Sequence, residues 1–240
     1  MTQVEGDTPR WRYQQSVREH VREPLGTALE HVQREQAEID AERAAFEHFA
    51  ERVATIAPVV TTDGPQLLAR DHEREKRAAV REAYEETVMA VDHYDDVYGE
   101  PLLVNVAGEL SAEIAEGLRD EAGLPFTEHL QSLILAAADD AVERREGFQE
   151  RLENERDSIE AADEALREVT DSLDGTGLPQ WYRPSFDEHL DEVVADRQER
   201  LQTRAAYRRT GHDLCEYIYD EEPWTYPVLT AVARLRNSVA

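Results

Sequence analysis

The chain of 240 residues contains one cysteine, Cys215, and one lysine, Lys76. A single thiol permits no internal disulfide and none of the paired-cysteine arrangements that bind zinc or carry dithiol redox chemistry. The solitary lysine follows Glu75, so the Gly-Lys-Ser/Thr end of a Walker A loop is missing. No stretch approaches the roughly 20 apolar residues a membrane helix requires. The N-terminus, MTQVEGDTPRWRYQQ, lacks the basic-then-apolar order of a secretory signal, and is expected not to be one. Strand signals are scarce too, because β-branched and aromatic residues seldom alternate with polar ones for more than a few positions.

Negative charge is what the chain has in excess. It carries 53 Asp and Glu against 26 basic residues, 25 of them Arg, for a formal charge of −27. Hydrophobic residues make up 40%, more than a disordered acidic tail carries, so a folded protein with a thin core is expected. At about 1 M ionic strength the Debye length shrinks to about 3 Å, which largely screens the mutual repulsion of such a surface. The composition therefore points to a salt-rich cytoplasm. An ordinary acidic protein from a GC-rich genome, which also prefers Arg to Lys, is the alternative. In either case the global field repels nucleic acid and anionic lipid at long range.

Helical periodicity fills the space that strands leave. Ile134, Ala138, Ala141, Arg145, Phe148, Leu152, Glu155, Ile159, Ala162, Leu166, Val169 and Leu173 step by four and three, the a/d seam of a heptad repeat. The run breaks at DGTGLPQWYRP, where glycines and prolines oppose helix geometry. It restarts at Ser185, which with Glu188 has the spacing of a capping box. Leu190, Val194, Arg197, Leu201, Arg204, Arg208, Gly211, Cys215 and Ile218 then form a more polar seam. Upstream, Leu25, Leu29, Val32, Gln36, Ile39, Arg43, Phe46, Ala50 and Val53 read as another, with Pro24 at the first helical position. A further helix over about 67–91 places Val80, Tyr84, Thr87 and Val91 on one face.

Chain direction turns these helices into an expected architecture: all-α, an elongated antiparallel bundle of coiled-coil hairpins with a compact helical head at one end. The rods span about 24–57, 67–91, 127–173 and 185–220. The head combines 94–126 with 217–240, all within a single domain over 1–240, and residues 1–15 are expected to be flexible. Tyr94, Tyr98, Trp224, Tyr226, Leu229 and Val232 are expected among the head contacts.

Two stretches, ETVMAVDHYDDVYGEPL (Glu86 to Leu102) and LCEYIYDEEPWTYPVLTAVARL (Leu214 to Leu235), resemble the signature blocks of an uncharacterised haloarchaeal protein family, a domain of unknown function. The likeness runs in order over nearly the whole chain. It implies a helical protein of haloarchaeal origin and carries no ligand or catalytic residue across.

Several reaction centres are excluded by position. A di-iron carboxylate bundle needs Glu three residues before a His, but the eight histidines are preceded at that spacing by Val17, Ala28, Ala45, Ala69, Ala90, Phe126, Phe186 and Arg209. His72-Glu73 meets Lys76 where a zincin needs its second His. Gln180 stands where a dinucleotide fingerprint begun at Gly175 and Gly177 would place its third Gly. The acid-rich turn with Asp92, His93, Asp96 and Glu100 offers oxygen and imidazole ligands for a divalent cation; a solvated helix end is the plainer reading. Arg197, Arg200, Arg204 and Arg208, spaced three, four and four, line one helix face. They suit either phosphate contact or pairing with acids such as Glu150, Glu153 and Glu155 across the seam. The acid-free stretch from Pro223 to Ala240 closes the core or docks a partner helix or a second copy. No cofactor is expected. The favoured reading is a cytoplasmic protein that acts through a protein partner or self-association, with nucleic acid disfavoured. A metal-binding or enzymatic head and an Arg-stripe nucleic-acid binder are the alternatives.

Overall fold

The structure is a computed structural model that describes residues 10–59, 66–120, 125–171, 181–205 and 213–239. The protein is all-α: the described residues form helices and turns and no strand. In chain order the helices are α1 Arg10–Thr55, α2 Gln66–Glu85, α3 Tyr94–Val97, α4 Leu102–Glu109, α5 Ala112–Gly117, α6 Glu128–Asp171, α7 Arg183–Ala205, α8 Leu214–Ile218 and α9 Pro227–Val239, with a 3-10 turn over Val88–Ala90.

The chain divides into two compact units, a terminal one of Met1–Glu35 with Leu152–Ala240 and a central one of Gln36–Arg151. Of the two segments expected in one head, 94–126 belongs to the central unit and 217–240 to the terminal one. At 1.5 Å per residue, the 20 residues of α2 span about 30 Å and the 46 of α1 about 69 Å. When α2 ends, the chain is still beside the second half of α1, where His93 and Tyr98 reach Glu42.

The 44 residues of α6 follow the seam read from the sequence. Ile134, Ala138, Ala141, Arg145, Leu152, Glu155, Ile159, Ala162, Leu166 and Val169 are all buried, and Phe148 is half-buried. In α1 the periodicity is right and the register is not. The buried positions include Val21, Leu25, Ala28, Val32, Glu42, Phe46, Phe49 and Val53, so Ala28, Glu42 and Phe49 replace the expected Leu29, Arg43 and Ala50. Arg43 instead bonds Glu47 one turn away, at 2.5 Å.

Pro24 lies inside α1 and not at its start. Proline has no amide to offer the carbonyl four residues earlier, here that of His20. Arg234 supplies the missing donor: its Nη1 gives hydrogen bonds to His20 O at 2.9 Å and to Glu23 Oε2 at 2.6 Å. A guanidinium from α9 thus caps the one carbonyl that proline strands, and the helix continues through it. Residues 1–9 of the segment expected to be flexible lie outside the described residues, and Arg10 onward is helical.

The central core gathers Phe46, Phe49 and Val53 of α1, Val80 and Tyr84 of α2, Val106 of α4, Ile114 of α5 with Leu118 just after it, Phe126 just before α6, and Ile134 and Ala138 of α6. Phe46 and Phe49 meet Tyr84 edge-on at 6.3 and 5.1 Å. Gln131 Nε2 donates to the Val53 and Ile56 carbonyls, both at 3.0 Å, and so caps the end of α1, where Val53 O also accepts from Ile56 N at 3.1 Å. The second helix ends earlier than its periodicity suggested: Thr87 Oγ1 bonds Ala83 O at 2.6 Å, and the chain leaves α geometry at Thr87. Gly99, with φ +55°, makes the reversal after α3 that a side chain would strain. Ser111 caps α5, its Oγ accepting from Ile114 N at 3.1 Å.

In the terminal unit, α7 starts at Arg183, which puts Ser185 in the first turn and not at the expected cap. The expected helix over 185–220 is divided into α7 and α8, and residues 206–212 between them lie outside the described residues. Tyr226, at the entry to α9, donates to Asp213 Oδ2 at 3.3 Å. Asp213 Oδ1 accepts from Cys215 N to cap α8, also at 3.3 Å.

Candidate functional site

Each unit contains a buried set of charged side chains built on seam positions. In the terminal unit Arg197 of α7 and Glu155 of α6 are almost wholly sealed, with side chains 1% and 0% exposed. Arg197 Nη2 donates to Glu155 Oε1 at 2.8 Å and Nη1 to Oε2 at 3.0 Å, a two-pronged pair. Nη1 also reaches Ser158 Oγ at 2.9 Å. Tyr219 OH donates to Glu155 Oε1 at 3.0 Å, and the Cys215 thiol lies 3.4 Å from Arg197 Nη2. Burial works against the guanidinium charge of Arg197, but the hydrogen bond and charge of Glu155 outweigh it and raise its pKa. Burial first, then the Glu155 carboxylate, push the Tyr219 hydroxyl well above the usual tyrosine range.

The central unit arranges a larger set around one guanidinium. Arg145 of α6 donates from Nε to Glu42 Oε2 at 2.8 Å and from Nη2 to Glu109 Oε2 at 3.1 Å. Its guanidinium carbon sits 4.4 Å from the centroid of Phe46, close enough for a cation–π contact. The other oxygen of Glu42 accepts from Tyr98 OH and faces His93 Nε2, both at 3.0 Å. Burial lowers the pKa of Arg145, and Glu109 and Glu42 more than restore it. The Tyr98 hydroxyl is raised, by burial and then by Glu42. Nearby, Tyr84 OH donates to Asn105 Oδ1 at 2.7 Å inside the core. Both oxygens of Glu42 thus face fixed polar groups, an arrangement suited to holding α1, α3 and α6 in register.

The cation-ligand set does not converge. Asp92, Asp96 and Glu100 are exposed, while His93 turns to Glu42. Among the described residues no group of three or more His, Cys, Asp or Glu side chains is placed to hold a metal ion. The single turn of α3 explains this, because burying Tyr94, whose hydroxyl bonds Glu100 O at 3.0 Å, leaves the neighbouring acids facing solvent. Of the basic stripe, Arg197 makes the pairing with Glu155 that its seam position offers. Arg197 is interior and Arg200 is exposed, while Arg208 and the side chain of Arg204 lie outside the described residues.

The aromatic and aliphatic residues expected in a head serve separate units. Tyr94 and Tyr98 stack against each other at 5.6 Å in the central unit. In the terminal unit Trp224 leans on Tyr219 at 5.4 Å and Val232 is buried. Beside them, an open groove of about 450 Å³ follows α9, walled by Trp224, Tyr226, Leu229, Ala233, Arg234 and Asn237 together with Pro223, Thr225 and Thr230. None of these residues is acidic.

A family model described as Domain of unknown function (DUF7260) matches residues 23–240. The chain belongs to that family. No curated protein and no solved structure matches it. The match to DUF7260 spans both charged networks and the whole groove. Sequence reasoning picked Arg145, Glu155 and Arg197 as polar seam residues but missed Glu42, Glu109 and Tyr219. The missed signal at Glu42 was available: the strict four-three count from Val21 passes through Leu25, Ala28, Val32, Glu35, Ile39, Glu42 and Phe46.

Proposed function

We propose that this DUF7260 protein works through protein contacts in a salt-rich, haloarchaeal-type cytoplasm, with no reaction of its own and no cofactor. The open, acid-free groove along α9 carries the reading, since it is a concave surface within the longest acid-free stretch of a chain bearing −27. The polar seam residues lend it no support: Arg145, Glu155 and Arg197 are each bonded within their own unit. No described helix is long and apolar enough to cross a membrane.

Site-specific photo-cross-linking in concentrated KCl tests the reading. A photoreactive residue replacing Ala233, which is exposed in the groove, is expected to capture protein. The same residue replacing Glu143, exposed on α6, is the control. No adduct above background at either position ends the contact reading. Helicity followed against KCl tests the environment: it is expected to grow with salt, and a value constant from 0.1 M upward removes the salt-rich assignment.

A further inference from the structure

We propose that the α9 groove receives an acidic amphipathic segment of a partner protein, its apolar side chains lying over Trp224 and Leu229 and a carboxylate resting on Arg234. This rests on the protein-contact reading above and names the chemistry of the partner.

Charge complementarity selects that occupant. Acids fill 53 of 240 positions in the chain, so most of the surface repels an acidic segment and attracts a basic one. The groove departs from this: its walls hold no acid and one base, Arg234, whose charge is shared with Glu23. Glu23 and the His20 carbonyl both anchor Nη1 of that side chain, which remains 23% exposed. Its Nε and Nη2 make no hydrogen bond within the described residues and are available to a second carboxylate. One guanidinium shared by two carboxylates is an arrangement this chain already uses, at Arg145 with Glu42 and Glu109 at 2.8 and 3.1 Å. The apolar wall supplies affinity and the arginine sets register, the usual division when a helix lies in a groove.

The test uses three dye-labelled helical peptides with one shared Leu/Ala face. Their polar flank carries Glu, Gln or Lys, and binding to the full chain is read by fluorescence anisotropy at a KCl concentration where its helicity is complete. The Glu peptide is expected to bind about threefold to fivefold tighter than the Gln peptide, the range of an exposed ion pair, and the Lys peptide weakest. Asn237→Lys strengthens and Asn237→Glu weakens the Glu peptide about threefold each, and Ala233→Glu weakens it at least about tenfold. Both positions are exposed, and unchanged circular dichroism confirms that each variant folds. Binding that is absent, that favours the Lys peptide or that ignores these variants overturns the proposal. So does a concentration-dependent dimer in light scattering that Ala233→Glu dissociates, which would give the groove to a second copy of the chain. If photo-cross-links form while no peptide binds, the contact reading survives and this inference falls.

Discussion

The terminal and central units solve one problem in two ways. Each has an arginine on a seam of long helices where an apolar residue is expected, and each pairs it with glutamate from a neighbouring helix. In the terminal unit the pair is sealed, with Arg197 and Glu155 side chains 1% and 0% exposed. In the central unit Arg145 and Glu42 are each 9% exposed and Glu109 20%, and His93 and Tyr98 complete a network that reaches toward solvent. The more complete the burial, the larger the desolvation cost of an unpaired charge, and the more a pair serves to specify which helices meet than to stabilise them. The comparison therefore separates an interior lock that must be whole from an edge network that can lose one member and let water in.

The largest effect is expected from breaking the sealed pair. Arg197→Met strands the Glu155 carboxylate and should destabilise the terminal unit by about 3 to 5 kcal/mol. The triple variant Glu155→Leu, Arg197→Met, Tyr219→Phe removes donors and acceptor together and should recover most of that loss. Amide exchange mapped along the chain checks both, since it reports each unit separately. If the triple variant is as unstable as the single one, packing and not the stranded charge is responsible.

A smaller loss is expected in the central unit. Glu42→Gln weakens the charge-assisted bond with Arg145 and the contacts to His93 and Tyr98, but the site is nearer water and Glu109 still neutralises Arg145. About 2 to 3 kcal/mol is expected from the same measurement. A loss equal to that of Arg197→Met would erase the distinction between sealed and edge networks.

Alkaline pH sharpens the contrast further. Tyr219 and Tyr98 both have hydroxyls raised above the usual value near 10. Their contribution to stability is complete below the unfolded value and is lost as pH rises above it toward the folded one. Unfolding should therefore become easier above about pH 10, by up to about 1.4 kcal/mol per pH unit for each tyrosine. Tyr219→Phe should flatten that slope in the terminal unit and Tyr98→Phe in the central unit. A slope untouched by either change would place the alkaline response elsewhere.

The smallest effect concerns the carbonyl stranded by Pro24. Arg234→Gln should cost about 1 kcal/mol in the native sequence and less with Pro24→Ala, whose restored amide returns the helical partner to His20. Denaturant unfolding of the four proteins of this double-mutant cycle measures the coupling. Strictly additive losses would mean that Arg234 does not act through that carbonyl.

Particular residues show how far the sequence could be read. The seam of α6 was legible from Ile134 to Val169 because large apolar residues recur there at four and three, with charged neighbours on both sides. In α1 the same rule slipped by one position at Ala28, Glu42 and Phe49. Leu29, Arg43 and Ala50 are chemically as plausible, and choosing between two charges at 42 and 43 requires knowing which one meets Arg145. The cluster of Asp92, His93, Asp96 and Glu100 resembled a ligand set because sequence proximity was taken for spatial convergence. One turn of helix sends His93 to Glu42 and the acids to water. In the Arg stripe, the pairing of Arg197 with Glu155 was legible because heptad spacing puts both on facing seam positions.

Composition and periodicity alone determined that this is an acidic all-α protein with long helices and no paired-cysteine or Walker-type chemistry, because charge, helix propensity and residue spacing are local properties of the chain. Tertiary structure decided the rest: the division into two units, the continuation of α1 through Pro24, the burial of Arg197, and the groove left open along α9. Each depends on which side chains distant in sequence come within hydrogen-bonding or packing distance. Arg234 supplies the carbonyl cap for α1 from 214 residues away, a contact that no local pattern encodes.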